Sequence, residues 1–160
     1  MRKVPVQFVL NGEARAEFVD SGATLLSVLR DKIGDSSPKE GCLQGTCGAC
    51  TVLVDGEACL SCLTLAETCE SKNIVTVRGL AENGHPHPLQ DAFVKGFAAQ
   101  CGFCTPGMIM AAKTLLDQNP NPTREDVIEA ISGNICRCTG YAPIVTAVLA
   151  AAEVCRHQRG

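Results

Sequence analysis

The sequence predicts an α+β fold in which a small mixed-sheet domain precedes an all-helical domain. In the first half, the turn signals Asn11-Gly12 and Asp55-Gly56 each lie between two β-prone segments, an arrangement that favours β-hairpins. In the second half, apolar residues recur at helical spacing, and Pro, Gly or Asn residues separate the segments. This change in pattern between the two halves predicts two domains of different class.

The first domain is predicted at residues 1–78. Two hairpins, one helix and a long cysteine-containing loop are typical of a small mixed-sheet domain of the β-grasp kind. The helix is expected from about Thr24, because the apolar residues that follow share one helical face, and Gly34 is a stop signal. The predicted elements are a hairpin of 4–10 and 14–19, a helix of 24–33, a loop of 35–50, a hairpin of 51–54 and 57–60, a short helix of 63–68 and a strand of 74–77.

The second domain is predicted at residues 89–160, after a linker at residues 79–88 that is rich in Gly, Pro, His and Asn. Pro106 and Pro143 are suited to helix starts, and Thr123 with Asp126 forms a capping pair. Four helices with a cysteine pair at each of two turns suggest a four-helix bundle in which one pair faces the other across the core. The predicted helices are 89–99, 108–118, 123–131 and 143–155.

Composition excludes several functions. The net charge is −3 and no block of Lys or Arg is present, so the chain lacks the basic face that nucleic-acid binding needs. No apolar run reaches the length of about 18 residues that a membrane span needs. Residues 1–10 predict a strand and turn and not a signal peptide, so a cytoplasmic location is expected. Because thiols stay reduced there, the eleven cysteines are expected to bind metal and not to form disulfides.

Eight of the cysteines fall into two sets with different spacings. The first set has the pattern C-x4-C-x2-C-x11-C, whose first two intervals are those of plant-type [2Fe–2S] ferredoxins. A cluster held by four thiolates is anionic, so its burial requires hydrogen-bond donors. Glycines in this loop let successive backbone N–H groups turn toward the sulfur atoms. The set therefore predicts one [2Fe–2S] cluster, with the ligands Cys42, Cys47, Cys50 and Cys62.

The fourth ligand of this set has two candidates, Cys59 and Cys62. If Asp55-Gly56 is a two-residue turn, Cys62 lies beside Cys50 across the hairpin, whereas Cys59 lies opposite Val52 within the ladder. This geometry favours Cys62.

The second set has the pattern C-x2-C-x31-C-x-C and three interpretations. A Cys-x-x-Cys at a helix start suits dithiol redox chemistry, although thioredoxin-type domains place that motif after a strand. Zinc sites built from four cysteines are common. A Cys-x-Cys pair, however, places two ligands so close in sequence that it would distort a tetrahedral zinc site, and it suits the separate irons of a two-iron cluster better. A second [2Fe–2S] cluster is therefore favoured over zinc and a dithiol, with the ligands Cys101, Cys104, Cys136 and Cys138.

Four runs around these cysteines carry a resemblance to a known family. They resemble the iron–sulfur subunit of molybdenum hydroxylases, the xanthine oxidase family, which includes carbon monoxide dehydrogenase and aldehyde oxidoreductases. The resemblance covers nearly the whole chain. The runs are EGC at 40–42, CGACTV at 47–52, QCGFCTPGM at 100–108 and GNICRCTGY at 133–141.

The resemblance implies an electron-transfer subunit that works inside a complex. The family's first domain holds the cluster nearer the flavin, and its second holds the cluster nearer molybdenum. Gln100 and Cys138 match family positions that approach the pterin of the molybdenum cofactor. The family's molybdenum and substrate sites belong to a separate large subunit, and a medium subunit usually binds FAD, so a heterotrimer is implied. Electrons would then pass from the molybdenum cofactor through both clusters to FAD or another acceptor, and no catalytic residue is expected on this chain.

Two other functions stay open on the sequence alone, namely a stand-alone two-cluster ferredoxin and a zinc-stabilised interaction module. The remaining cysteines, Cys59, Cys69 and Cys155, are expected to be structural thiols. His85 and His87 are expected to be solvated residues of the linker.

Overall fold

The chain begins with an antiparallel hairpin. The structure, a computed structural model, describes residues 2–159, without the side chain of residue 159. Strands β1 (Lys3–Leu10) and β2 (Glu13–Asp20) pair along their full length. Their turn holds Asn11 and Gly12 at φ of 52° and 84°, and a type I′ turn requires positive φ at both positions. The first predicted hairpin is confirmed.

The helix of the first half is not a regular α-helix. Its first turn, α1 (Leu25–Ser27), is capped by the Thr24 side chain and continues as a π-helix over Val28–Ile33. Gly34 ends this helix in the left-handed region, at φ of 84°. The predicted bounds are therefore confirmed, whereas the wider π-helical turns do not follow from the spacing of the apolar residues.

A second hairpin carries the middle of the chain. Strands β3 (Thr51–Val54) and β4 (Glu57–Leu60) are joined by Asp55 and Gly56, at φ of 51° and 86°. Their register pairs Val52 with Cys59, as the two-residue turn predicts.

Strand β5 (Asn73–Val75) completes a five-stranded sheet in the order β2-β1-β5-β3-β4. Strands β1 and β5 run parallel, and the other neighbours run antiparallel. The strand ends before its predicted limit because the chain turns into a 3₁₀ helix at Val77–Leu80. The short helix expected at 63–68 is a 3₁₀ helix at Ala66–Cys69. A mixed sheet with one helix is the arrangement expected of a β-grasp domain.

Four helices follow, as predicted. None of the helices within residues 2–159 is both long and apolar enough to cross a membrane. They are α2 (Pro88–Lys95), α3 (Thr105–Gln118), α4 (Arg124–Ile131) and α5 (Ala142–Arg159).

Three helix limits differ from the prediction. Helix α2 ends at Lys95 and not at residue 99, because Gly96 caps it and Phe97 takes a left-handed φ of 50°. Helix α3 begins at Thr105, with Pro106 in its first turn, where the missing proline N–H costs no hydrogen bond. Helix α5 continues past its predicted end at residue 155.

Strand β3 belongs to the cores of both halves. Its Val52 is fully buried among residues of β1, β2 and α1, whereas its Leu53 is buried among the helices. Successive side chains of a strand point to opposite faces, so one strand serves both cores. Helix α3 packs on β3 and thereby holds the helices close to the first cysteine loop.

Candidate metal centres

The first cysteine set gathers at the open end of the β3–β4 hairpin. Cys50 directly precedes β3, Cys62 follows β4, and both are buried. The N–H and the hydroxyl of Ser61 both donate to the carbonyl oxygen of Cys50, at 3.4 and 2.7 Å. Cys59 lies within the ladder, opposite Val52. The fold therefore brings Cys62, and not Cys59, beside Cys50.

The four thiols of this set meet in two pairs. The side chains of Cys42 and Cys47 contact each other, and so do those of Cys50 and Cys62. Burial, followed by the contact with Cys50, raises the pKa of Cys62 to about 11, and the charge of Cys42 adds to this effect. The two pairs are thus close enough to interact electrostatically.

Hydrogen-bond donors converge on the sulfur of Cys42. The hydroxyl of Thr46 and the N–H groups of Gln44 and Thr46 lower the pKa of Cys42 to about 5, and the Thr46 nitrogen lies 3.3 Å from the sulfur. The N–H of Gly45 donates to Cys62. Successive backbone N–H groups of this kind form a concave site for an anion, and the sequence analysis expected such a site from the glycines of the loop.

None of the three glycines of this loop, Gly41, Gly45 and Gly48, leaves space for a side chain. A Cβ atom on Gly41 would lie 2.8 Å from the sulfur of Cys47. Gly45 has a φ of 79°, and its Cβ atom would lie 2.4 Å from the side chain of Leu63. The loop backbone therefore lies directly against the sulfur of Cys47 at Gly41 and against the side chain of Leu63 at Gly45.

The second cysteine set gathers beside the N-termini of two helices. Cys104 directly precedes α3, and Cys138 lies in the turn before α5. The sulfur atoms of Cys101 and Cys138 are 3.6 Å apart, and the side chains of Cys104 and Cys136 contact each other.

The Cys101/Cys104 pair and the Cys136/Cys138 pair therefore face each other, as expected. Cys136 is buried in the helical core and Cys104 packs against it, whereas Cys101 and Cys138 are exposed, so the set extends from the core to the surface. All four cysteines lie in the turns that precede the helices.

The surroundings of the second set also differ from one thiol to the next. Burial, followed by the contact with Cys136, raises the pKa of Cys104 to about 12. Burial also acts on Cys136, but the Thr139 hydroxyl and the N–H groups of Thr139 and Cys138 outweigh it, so the pKa of Cys136 is lowered. The Thr139 oxygen lies 3.1 Å from this sulfur. Thr46 and Thr139 were not predicted from the sequence, although each follows a predicted ligand within four positions.

Both sets fit a two-iron cluster. In a [2Fe–2S] cluster each iron takes two protein ligands, so four thiolates divide into two pairs. A single zinc ion would instead draw four sulfur atoms to one centre, with Zn–S distances of about 2.3 Å. The thiols pair two by two in each set, Cys42 with Cys47, Cys50 with Cys62, Cys101 with Cys138 and Cys104 with Cys136. The pairing and the donors on sulfur are the features that a two-iron cluster requires.

The loops that carry the two sets are in direct contact. The N–H of Ile135 donates to the carbonyl oxygen of Cys47 at 2.9 Å, and Ile135 is the residue before Cys136. The side-chain amide of Asn134 donates to the carbonyl oxygen of Gly48, also at 2.9 Å. Asn134 was not predicted as a contact residue, although it lies in the GNICRCTGY run just before two cysteines.

The other residues singled out in the sequence lie outside the two sets. Gln100 is exposed, directly before Cys101. Burial raises the pKa of Cys59 and of Cys69, and Cys155 is buried in the helical core.

His87 has a structural role that the sequence analysis did not predict. Its ring nitrogen Nδ1 accepts the N–H of Leu89 at 3.1 Å and caps α2, so His87 is not simply a solvated linker residue.

Comparison with known proteins gives consistent results for both halves. Residues 19–91 match the family model of a 2Fe-2S iron-sulfur cluster binding domain, and residues 76–149 match that of a [2Fe-2S] binding domain. The chain is 48% identical over 155 residues to the nicotinate dehydrogenase small FeS subunit of Eubacterium barkeri, covering 97% of this chain and 99% of the relative. It is 50% identical over 147 residues to the nicotine 6-hydroxylase small subunit of Paenarthrobacter nicotinovorans, covering 92% and 88%.

A solved structure agrees with the fold class. A chain of quinoline 2-oxidoreductase from Pseudomonas putida 86 superposes with a TM-score of 0.94 at 43% identity, over 98% of both chains. The predicted order, a ferredoxin-like domain followed by a helical domain, is thereby confirmed. Since close relatives match it over almost their whole length, the chain belongs to the family of small iron–sulfur subunits of molybdenum hydroxylases, the xanthine oxidase family.

Proposed function

We propose that this chain is the electron-transfer subunit of a molybdenum-dependent hydroxylase complex and carries two [2Fe–2S] clusters. The domains are those predicted, at residues 1–78 and 89–160, with a linker at residues 79–88. The ligands of the first cluster are Cys42, Cys47, Cys50 and Cys62, and those of the second are Cys101, Cys104, Cys136 and Cys138.

The observation that carries this proposal is the contact between the two cysteine loops. One hydrogen bond, from the Ile135 N–H to the Cys47 carbonyl, connects a ligand of one set with the neighbour of a ligand of the other. A pair of redox centres that exchange electrons must be close, and this contact makes the two sets neighbours. Two independent zinc sites would have no need of it.

A [2Fe–2S] cluster supplies reversible uptake of a single electron when bound. The residues of this chain hold and tune such a group. The N–H groups of Gln44 and Thr46 and the hydroxyl of Thr139 stabilise negative charge on the ligand sulfur atoms. Hydrogen bonds to sulfur and solvent exposure are two of the terms that set a cluster's reduction potential. The buried Cys50 and Cys62 and the exposed Cys101 and Cys138 therefore give the two sites different surroundings.

The exposed edge of the second set is the proposed entry point for electrons. Cys101 and Cys138 reach the surface, and the exposed Gln100 adjoins them. A large partner subunit that holds the molybdenum–pterin cofactor would approach Gln100 and Cys138 at this edge. The first set would pass electrons to FAD on a medium subunit, and the complex would be cytoplasmic.

The alternative of a stand-alone two-cluster ferredoxin is disfavoured by the names of the relatives, which are subunits of larger enzymes.

Purification of the tagged chain from its native host tests the proposal. We expect a large molybdenum-containing subunit to copurify, with about two iron atoms and two acid-labile sulfides per cluster site. A chain that carries iron but elutes alone would support the stand-alone ferredoxin. A colourless chain that binds zinc would overturn the electron-transfer role altogether.

A further inference from the structure

The contact between the two cysteine loops is built around one carbonyl oxygen, that of Gly48. The N–H and the hydroxyl of Thr51 donate to it at 3.1 and 2.7 Å. The side-chain amide of Asn134 donates to it at 2.9 Å, and the same nitrogen lies 3.5 Å from the Thr51 hydroxyl oxygen. Asn134 is only 5% exposed. Buried polar groups are almost always hydrogen-bonded, so the amide is held in place by Gly48 of the first cysteine loop and Thr51 at the start of β3.

The backbones meet at this point without intervening side chains. A Cβ atom on Gly107 would lie 2.2 Å from the Gly48 oxygen, and one on Gly48 would lie 2.5 Å from the Asn134 nitrogen. Real Cβ atoms do not approach other atoms so closely, and the atoms that would have to move include backbone. Gly107 lies in the first turns of α3, just after Cys104. The backbone of α3 at Gly107 therefore lies directly against the backbone of the first cysteine loop at Gly48, with no room for a Cβ atom between them.

We propose that Gly48, Gly107 and Asn134 form a spacer that fixes the separation of the two cluster sites, with Asn134 as a positioning residue. This inference rests on the proposed function, because it assigns a role within the electron path. None of the three residues supplies a sulfur ligand. Each acts through a neighbour, since Gly48 follows Cys47, Gly107 follows the Cys104 turn, and Asn134 precedes Cys136 by two positions.

The spacer predicts a spectroscopic effect that simple loss of stability would not give. Two reduced clusters are both paramagnetic, and the dipolar splitting between them falls with the cube of their separation. A side chain at position 107 would push the loops apart and narrow the splitting. Electron exchange between the clusters would slow for the same reason.

The test uses the full chain reconstituted with iron and sulfide, fully reduced, and examined by electron paramagnetic resonance. Gly107→Ala should keep its iron but show a narrowed or lost splitting. Gly133→Ala is the matched control, because its Cβ atom would meet nothing within 4 Å, and it should keep the wild-type splitting. A Gly107→Ala protein with full iron and an unchanged splitting would overturn the proposal.

A second variant addresses the possibility that Gly107→Ala does not take up iron. Asn134→Leu removes the amide at nearly constant volume. Gln90→Leu is the control, because the Gln90 amide donates to the Val77 carbonyl at 2.8 Å and accepts the His87 N–H at 2.8 Å, and neither partner lies in a cysteine loop. In the metal-free chain, hydrogen exchange of the Ile135 N–H should accelerate in Asn134→Leu and not in Gln90→Leu. If the Ile135 N–H exchanges equally fast in both variants, the proposal that Asn134 is part of a spacer is wrong. If the wild-type chain takes up no iron at all, the proposed function fails, while the exchange result still decides whether Asn134 holds the loops together.

Discussion

The thiols of the two sets differ widely in how far their surroundings stabilise the thiolate. Cys42 is met by donors from Thr46 and Gln44, and its pKa falls to about 5. Cys104 is half-buried against Cys136, and its pKa rises to about 12. Only the thiolate binds metal or reacts with electrophiles. The first loop therefore offers a preformed anionic ligand before any iron arrives, whereas Cys104 must lose its proton as the metal binds.

This difference predicts the pH dependence of thiol alkylation in the metal-free chain. Cys42 should react with iodoacetamide at a nearly constant rate at alkaline and neutral pH, and the rate should fall to about half near pH 5, the value of its pKa. Cys104 should be almost unreactive at neutral pH. Mass spectrometry of timed samples measures both rates. Thr46→Val should raise the pKa of Cys42, and a wild-type Cys42 rate that still climbs steeply above neutral pH would contradict the assignment.

The lowered pKa of Cys42 also makes the stability of the folded metal-free chain depend on pH. The folded-state pKa of Cys42 lies below its ordinary value of 9.0, so its thiolate favours the folded metal-free chain fully above about pH 9. That contribution decreases as the pH falls toward about 5.

Cys62 and Cys59 provide a matched pair for testing the first ligand set. Cys62→Ser should lower the bound iron by about half and remove one of two paramagnetic signals, because one of two clusters loses a ligand. Cys59→Ser should leave iron and both signals unchanged, since Cys59 lies within the β3–β4 ladder. Iron analysis with electron paramagnetic resonance measures both. If Cys59→Ser loses iron and Cys62→Ser does not, then Cys59, and not Cys62, is the fourth ligand.

At the scale of elements, α4 helps to place Cys136 and Cys138, because the chain runs from the end of this helix directly into the turn that carries them. Its N-terminus is fixed by a reciprocal capping box, in which the Asp126 N–H donates to the Thr123 hydroxyl and the Thr123 N–H donates to the Asp126 carboxylate, at 3.2 and 2.8 Å. Its C-terminus leads directly into Asn134 and Cys136. Helix α4 therefore connects a local capping signal with the placement of the site.

Removal of this cap should weaken the helical half. Thr123→Ala is expected to lower the free energy of unfolding by about 1 kcal/mol, the usual cost of an N-cap threonine. Thr123→Ser keeps the hydroxyl and should stay close to the wild type. Chemical denaturation of the metal-free chain compares the two, and equal losses in both variants would show that the methyl group, and not the hydroxyl, is what stabilises.

At the scale of the whole molecule, the two halves are joined more by contacts than by the linker. Residues 81–86 are all exposed, whereas β3 contributes to both cores and the Asn134 amide links the cysteine loops. A break in the linker should therefore leave the halves associated.

A specific protease site inserted between Asn83 and Gly84 tests this prediction. After cleavage we expect two fragments under denaturing conditions and a single species of unchanged size by native size exclusion, with both clusters retained. The same cleavage in an Asn134→Leu background should release some of the fragments. Immediate separation of the fragments in the wild-type background would contradict the prediction.

The sequence alone determined the features that depend on local chemistry. The two hairpins follow from Asn11-Gly12 and Asp55-Gly56, because positive φ at two successive positions is a local demand. The start of α4 follows from Thr123 and Asp126, because a reciprocal N-terminal cap is formed by residues three positions apart. The spacing of the cysteines, together with the runs around them, was sufficient to predict both candidate sites and the family.

Tertiary structure decided how those local pieces meet. No pattern along the chain indicated that Cys101 pairs with Cys138 at the surface, or that Leu53 of a strand belongs to the helical core. Nor did it reveal that Gly107 and Asn134 close on Gly48. These contacts join residues that are far apart in sequence, and their geometry depends on the packing of whole elements, which periodicity and turn chemistry do not encode.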